Sequence, residues 1–220
     1  ITKSGVKAAS APQAAEEVAA EEQAVQCTYK SDVMLVIDVS GSVGKDNFKY
    51  VKAFLIKFLE RYDFKSGNSR LGIIRFDEKC YVDLLWIDSV GMTIEQLRST
   101  ILKMKYTAGS TLTDNALKCA RDKVILPFKK AGVAMTIFVM TDGKSWNGEN
   151  LLPPIAQQLR DPNGLNCKII ALGVGSAVDS NELVTITGDV SQVSYINNRV
   201  TGTPGHRDTG TPGHRDTGTP

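Results

Sequence analysis

The chain has 220 residues, 42% of them hydrophobic, and a formal net charge of +2. That size and composition accommodate one ordinary globular domain with sequence to spare, and the near-neutral balance gives no electrostatic case for a nucleic-acid partner. The longest nearly uncharged apolar stretch, Ala131 to Met140, is about half of the ~20 residues a membrane-spanning helix needs, so no membrane insertion is expected within this chain.

Residues 1–26 are rich in Ala, Glu and Gln with almost no large apolar side chain. They cannot bury enough surface to offset ordering entropy and read as a disordered or weakly helical leader. No secretory signal is visible, but the chain starts at Ile1 rather than Met, so this does not argue for the cytosol.

From there, short apolar runs alternate with segments of helical period. Val33 to Ile37 reads as a first strand. Phe48, Val51, Phe54, Leu55, Phe58 and Leu59 share one face of a helix over Asp46–Tyr62. Leu71–Phe76 is a second strand, and Tyr81–Trp86, following Asp77-Glu78-Lys79, has the spacing of a hairpin and an antiparallel edge strand. Thr93-Ile94-Glu95-Gln96 is a capping box that opens a helix carrying Leu97, Ile101 and Met104. A third helix begins near Leu112, with Ala116, Leu117, Ala120 and Val124 on its apolar side. Ala134–Met140 and Lys168–Val174 are further strands, separated by a helix over Asn150–Arg160 that tolerates Pro153 and Pro154 only near its first turn. Asp179 to Glu182 caps a fifth helix, and Gln192–Ile196 is a last short strand. The alternation predicts an α/β fold: a doubly wound, mostly parallel, Rossmann-like sheet with one antiparallel edge strand and helices on both faces.

Residues 201–208 read TGTPGHRD, the same letters fill 209–216, and 217–220 start a third copy. A repeat of Gly, Pro, Thr and charge has no apolar side to pack, so 201–220 is expected to be a disordered tail or spacer and 27–200 the domain. His206 and His214 recur on that period, and a solvated linker is the simpler reading. The four cysteines, Cys27, Cys80, Cys119 and Cys167, show no CxxC spacing. They are compatible with two disulfides and equally with buried thiols.

The candidate chemistry lies where strands end. The first runs into Asp38-Val39-Ser40-Gly41-Ser42, a carboxylate followed by two hydroxyls on alternate positions. Ala134–Met140 ends in Thr141-Asp142-Gly143, and Gly109-Ser110-Thr111 delivers a hydroxyl before the third helix. In open α/β sheets the loops at the carboxyl ends of strands form the binding crevice. Each turn alone reads as a polar turn or helix cap. Together they form a hard oxygen cluster of the kind that suits Mg²⁺ or Mn²⁺.

Asp-x-Ser-x-Ser at 38–42, Gly-Ser-Thr-x-Thr at 109–113 and Thr-Asp-Gly at 141–143, in that order, resemble the von Willebrand factor type A domain, kin of the inserted domain of integrins. The resemblance spans about residues 31–198. It implies a metal-ion-dependent adhesion site in which Ser40, Ser42 and Thr111 supply hydroxyls while Asp38 and Asp142 act directly or through water; Thr113 and Asp114 do not match ligand positions. It further implies an extracellular, secreted or cell-surface module binding a protein that offers an acidic side chain, such as collagen or another matrix component. The alternative is a structural matrix-assembly module without a cation-dependent ligand. Family members usually close with a long amphipathic helix, and none is recognisable after Asn198. They also often pair a cysteine in the place of Cys27 with one beyond that helix. Here Cys167 is the best internal candidate for Cys27, which leaves Cys80 and Cys119 free.

Catalysis is not expected. A haloacid-dehalogenase-type phosphatase needs a second Asp two residues after the first, where Ser40 stands. No GxxxxGK[ST] loop or GxSxG elbow occurs, and both histidines lie in the tail.

Overall fold

The computed structural model describes residues 30–146 and 148–196, with only the backbone described at 148–150. The leader, Cys27, the repeat tail with His206 and His214, and the stretch after Ile196 where a closing helix is sought all lie outside the described residues.

The elements run β1 (Ser31–Asp38), α1 (Lys45–Leu59), β2 (Ser69–Phe76), β3 (Cys80–Leu84), α2 (Ile94–Lys103), α3 (Thr113–Ala120), β4 (Ala134–Thr141), α4 (Gly148–Arg160), β5 (Cys167–Val174), α5 (Ser180–Thr187) and β6 (Val193–Ile196). They form one six-stranded sheet in the order β3-β2-β1-β4-β5-β6. Only β3 is antiparallel to its neighbour, as the hairpin spacing predicts. β1 is flanked by parallel strands and covered on both faces, which is why Val33 to Ile37 is continuously apolar.

Alternate residues of the strands feed two cores. Val33, Leu35, Ile37, Leu71 and Ile73 pack under Phe48, Val51, Leu55 and Leu59 of α1 and Leu97 and Ile101 of α2. Met34, Val36, Ile74, Phe76 and Ile137 face α3, α4 and α5 through Ala116, Leu117, Leu152, Ile155 and Leu183. Each such Val, Leu, Ile, Phe or Met side chain contributes about 1.5–3 kcal/mol through burial. On the α1 side, Phe54, Phe58, Ile170 and Ile196 are only partly buried. At the amino end of β1, Asp32 and Arg70 form a buried two-pronged pair of 2.6 and 2.5 Å. Arg70 also donates to the Phe128 carbonyl at 3.0 Å.

The caps fall where the sequence puts them. Thr93 and Gln96 form a reciprocal capping box, and Asp179 accepts from the Asn181 and Glu182 amides. Two helices differ in detail. α3 widens into a π-helical turn over Arg121–Ile125, just ahead of Pro127, which has no N–H to continue the ladder. α4 begins two residues earlier than its periodicity suggests, so Pro153 and Pro154 stand inside the helix rather than in its first turn.

The cysteines correct the sequence expectation. Cys80, at the start of the edge strand, is bonded to Cys119 on α3 with a Cα–Cα separation of 6.5 Å. Cys167 is free and buried, and burial pushes its thiol up to about 11. Strand order supplies the reason: β3 sits outside β2, and α3 crosses beneath both, a proximity that spacing along the chain does not reveal. The bond closes a separation of 39 residues, and the loop-entropy relation assigns a loop of that length about 4 kcal/mol at most. The double substitution Cys80→Ala/Cys119→Ala is expected to lower the unfolding free energy by about 2–4 kcal/mol in urea denaturation; an unchanged midpoint would show that the edge needs no staple.

Candidate metal centre

The site is built around buried carboxylates at the carboxyl edge of the sheet. Asp38 ends β1 and is 1% exposed. Its Oδ1 accepts from the Ser40 amide at 2.8 Å, and its Oδ2 from the Thr141 hydroxyl at 2.6 Å. These bonds fold the turn after β1 back over the strand and tie it to the end of β4. Burial raises the Asp38 carboxyl to about 6; hydrogen bonds from Ser40 and Thr141 oppose the rise, and the nearby charge of Asp142 adds to it.

The turn brings the hydroxyls together. Ser40 Oγ and Ser42 Oγ are 3.1 Å apart, and Ser42 Oγ lies 3.5 Å from Thr111 Oγ1. Thr111 reaches them because its loop is laced to the first: the Gly41 amide donates to the Gly109 carbonyl at 2.8 Å and the Ala108 amide to the Val39 carbonyl at 2.9 Å. Gly109 permits this approach. A Cβ there would lie 2.9 Å from the Asp77 side chain.

Asp77 is a site residue that the motifs do not reveal. Buried at the end of β2, it accepts from the Lys79 amide at 2.7 Å and the Thr107 hydroxyl at 2.5 Å, and its carbonyl accepts from the Leu112 amide at 3.2 Å. It therefore fixes the loop that carries Thr111. The available signal is positional: like Asp38 and Asp142, it is a carboxylate at the end of an apolar run.

Asp142 follows β4 and is 3% exposed. Its carbonyl accepts from the Asp179 amide at 2.8 Å, which clamps the loop against the start of α5. Gly143 has φ +71°, and a Cβ there would meet the Asp179 carbonyl at 2.7 Å. Beyond it, Ser145 donates through its amide (3.0 Å) and its hydroxyl (2.5 Å) to Glu182 of α5. Thr113 stands 2.5 Å from that hydroxyl. Glu182, half-buried, has its carboxyl raised chiefly by desolvation. It also escapes sequence reasoning, because its position reads only as part of a helix cap. Asp114 pairs with Lys118 at 2.8 Å and Thr113 joins the Glu182 cluster, so neither belongs to the hydroxyl group.

These residues suit a small hard cation. Adjacent oxygen ligands of an octahedral ion with bonds of 2.0–2.1 Å are about 3 Å apart, near the separation seen among the hydroxyls. Asp142 Oδ1 is buried with no hydrogen-bond partner among the described residues, and an orphaned carboxylate oxygen calls for a compensating positive charge. Among the described residues no three His, Cys, Asp or Glu side chains cluster, so the donors offered are chiefly hydroxyls.

A group of hydroxyls and buried carboxylates at the carboxyl edge, where strand order reverses, sits on a doubly wound α/β domain. The family model of the von Willebrand factor type A domain matches residues 32–203, and the chain belongs to that family. Mouse collagen alpha-1(VI) chain is 25% identical over 71% of this chain, and *Caenorhabditis elegans* cuticlin-6 is 29% identical over 78%. The chain spans only 16% and 28% of those two proteins. Among solved structures, mussel byssus proximal thread matrix protein 1 with a zinc-occupied metal site superposes with a TM-score of 0.68 at 22% identity, over 77% of this chain and 44% of that one. The manganese-loaded *Plasmodium vivax* TRAP protein gives 0.65 at 20%, over 77% and 69%.

Three outcomes test the centre. Saturating Mn²⁺, at about 100 times its dissociation constant, should stabilise the domain by about 2.7 kcal/mol and raise its melting temperature by about 5–10 °C. Asp142→Ala should remove that shift while melting no lower than the parent in chelator, because it deletes an unpartnered buried oxygen beside a like charge. A metal-free variant clearly less stable than the parent would show that Asp142 is a structural carboxylate. Glu182→Ala should weaken Mn²⁺ binding by about tenfold in a titration followed by melting temperature, with Glu182→Gln in between; unaltered binding would detach α5 from the site.

Proposed function

We propose that residues 27–200 form an extracellular adhesion or matrix-binding module that captures a partner protein through Mg²⁺ or Mn²⁺ held by Asp38, Ser40, Ser42, Thr111 and Asp142. The leader 1–26 and the repeat tail 201–220 flank this module as spacers. Two observations carry the reading: the hydroxyl group at 3.1 and 3.5 Å, and the orphaned Asp142 Oδ1, whose charge acts on Asp38 at the same edge of the sheet.

Neutral hydroxyls leave most of a cation's charge uncompensated. When bound, the ion supplies a positive centre for an acidic side chain from outside. The protein's part is to hold the oxygens in place beforehand. Asp38 is engaged by Ser40 and Thr141, and Asp77 by Lys79 and Thr107, so the cradle is fixed before any ligand arrives.

The Cys80–Cys119 bond favours an oxidising compartment, and the similarity to collagen chains and a cuticlin favours the matrix. The same similarity supports a second reading, a matrix-assembly module that needs no cation-dependent ligand. Adsorption to matrix extract and to immobilised collagen, with Mg²⁺ and with chelator, separates the two. Chelator and Asp142→Ala are each expected to abolish binding while the far-ultraviolet circular dichroism stays the same. Adhesion that persists in chelator would favour the assembly role.

A further inference from the structure

Trp146 stands beside the hydroxyl group and no part of the metal chemistry uses it. The chain has two tryptophans; Trp86 is fully buried and donates to the Val33 carbonyl, whereas Trp146 is 70% exposed. An indole is among the costliest side chains to leave in water and among the most frequent anchors of protein interfaces.

Its backbone is anchored. The Trp146 amide donates to the carbonyl of Thr111 at 2.8 Å, and the preceding Ser145 is held twice by Glu182. The indole is therefore carried on the same hydrogen-bonded frame as the Thr111 hydroxyl. A shallow groove of about 310 Å³ runs between them, with Ser42, Ser110 and Thr111 on one side and Lys144, Ser145 and Trp146 on the other. That volume is at the lower end for ligand pockets and takes a few side chains rather than a folded element. Lys144 is exposed on the groove and adds positive charge to that of a bound cation.

We propose that this groove is the specificity surface of the site, and that it takes an acidic peptide segment in which the metal-directed Asp or Glu is flanked by an apolar residue or proline packed on the Trp146 indole. The inference rests on the cation-dependent reading above and adds the partner's chemistry to it. A carboxylate alone would not distinguish one acidic protein from another. The indole supplies a contact that rejects segments with Gly or a charged residue beside the acid, and Lys144 favours further negative charge.

The test is selection of a random peptide library displayed on phage against the full chain immobilised in Mg²⁺, eluted with chelator. Enriched peptides should carry Asp or Glu next to an apolar residue or proline, and as synthetic peptides they should shift the emission of Trp146. Trp146→Ala should weaken their binding at least tenfold, with partial recovery in Trp146→Phe. The Mn²⁺-induced rise in melting temperature should remain in both variants, which shows that fold and metal site are intact. Chelator-eluted peptides that bind Trp146→Ala within twofold of the parent overturn the groove and leave the cation reading standing. No chelator-eluted peptide at all, with the Mn²⁺ shift present, overturns both the groove and the ligand-binding reading. No Mn²⁺ shift in the parent removes the metal on which both depend.

Discussion

The site depends on the parallel pairing of β1 with both β2 and β4. Because all three strands run the same way, each delivers its last residue to one edge of the sheet, and the reversal of strand order there opens a crevice between their loops. Asp38 ends β1, and Asp77 and Asp142 directly follow β2 and β4. Burying carboxylates costs solvation: burial raises Asp38 to about 6, and the nearby charge of Asp142 adds a smaller part. Two of them recover some of it by hydrogen bonding to their own loops. Asp38 binds the Ser40 amide and Thr141 hydroxyl, and Asp77 the Lys79 amide and Thr107 hydroxyl. Asp142 Oδ1 has no such bond. The first two carboxylates shape the cradle, and the third leaves it one charge short of balance.

The layering and the cradle could be read from the sequence because both are local patterns. A buried parallel strand is a short apolar run, an amphipathic helix repeats at 3.6 residues, and Thr93 with Gln96 or Asp179 with Glu182 announces a helix start within a single turn. Asp38, Ser40 and Ser42 sit in one turn, so their spacing alone suggests convergence. Thr111 and Asp142 are legible as polar residues at loop and strand ends, but only the resemblance says that the loop before α3 and the end of β4 meet. What escaped notice was set by contacts between distant segments. Asp77 looks like a turn residue, Glu182 looks like a cap, and Cys80 meets Cys119 only because the edge strand folds back over α3. Pairing Cys167 with Cys27 followed family habit, whereas the start of β5 holds Cys167 as a buried free thiol.

The two ends of the sheet use charge in opposite ways. At the amino end Asp32 is matched by the Arg70 guanidinium, which also caps the Phe128 carbonyl and lies 5.2 Å from the Trp86 ring. Charge there is balanced internally. At the carboxyl end no guanidinium or ammonium pairs with Asp38 or Asp142 among the described residues. The fold thus buries a matched pair at one edge and leaves Asp38 and Asp142 without a cationic side chain at the other, which is where electrostatic imbalance tends to mark function.

The loop bearing that imbalance is not independent of the rest. The carbonyl of Asp142 is held by the amide that begins α5, the turn at Gly143 leaves no room for a side chain against Asp179, and Ser145 is fastened to Glu182 one turn further on. Trp146 is then fastened to Thr111. The Asp142–Trp146 loop is thus tied to α5 by three hydrogen bonds and to the Thr111 loop by a fourth. α5 leads through a single 3₁₀ turn at Val190–Gln192 into β6, a four-residue edge strand. The element most tightly coupled to the site is also next to the shortest strand of the sheet.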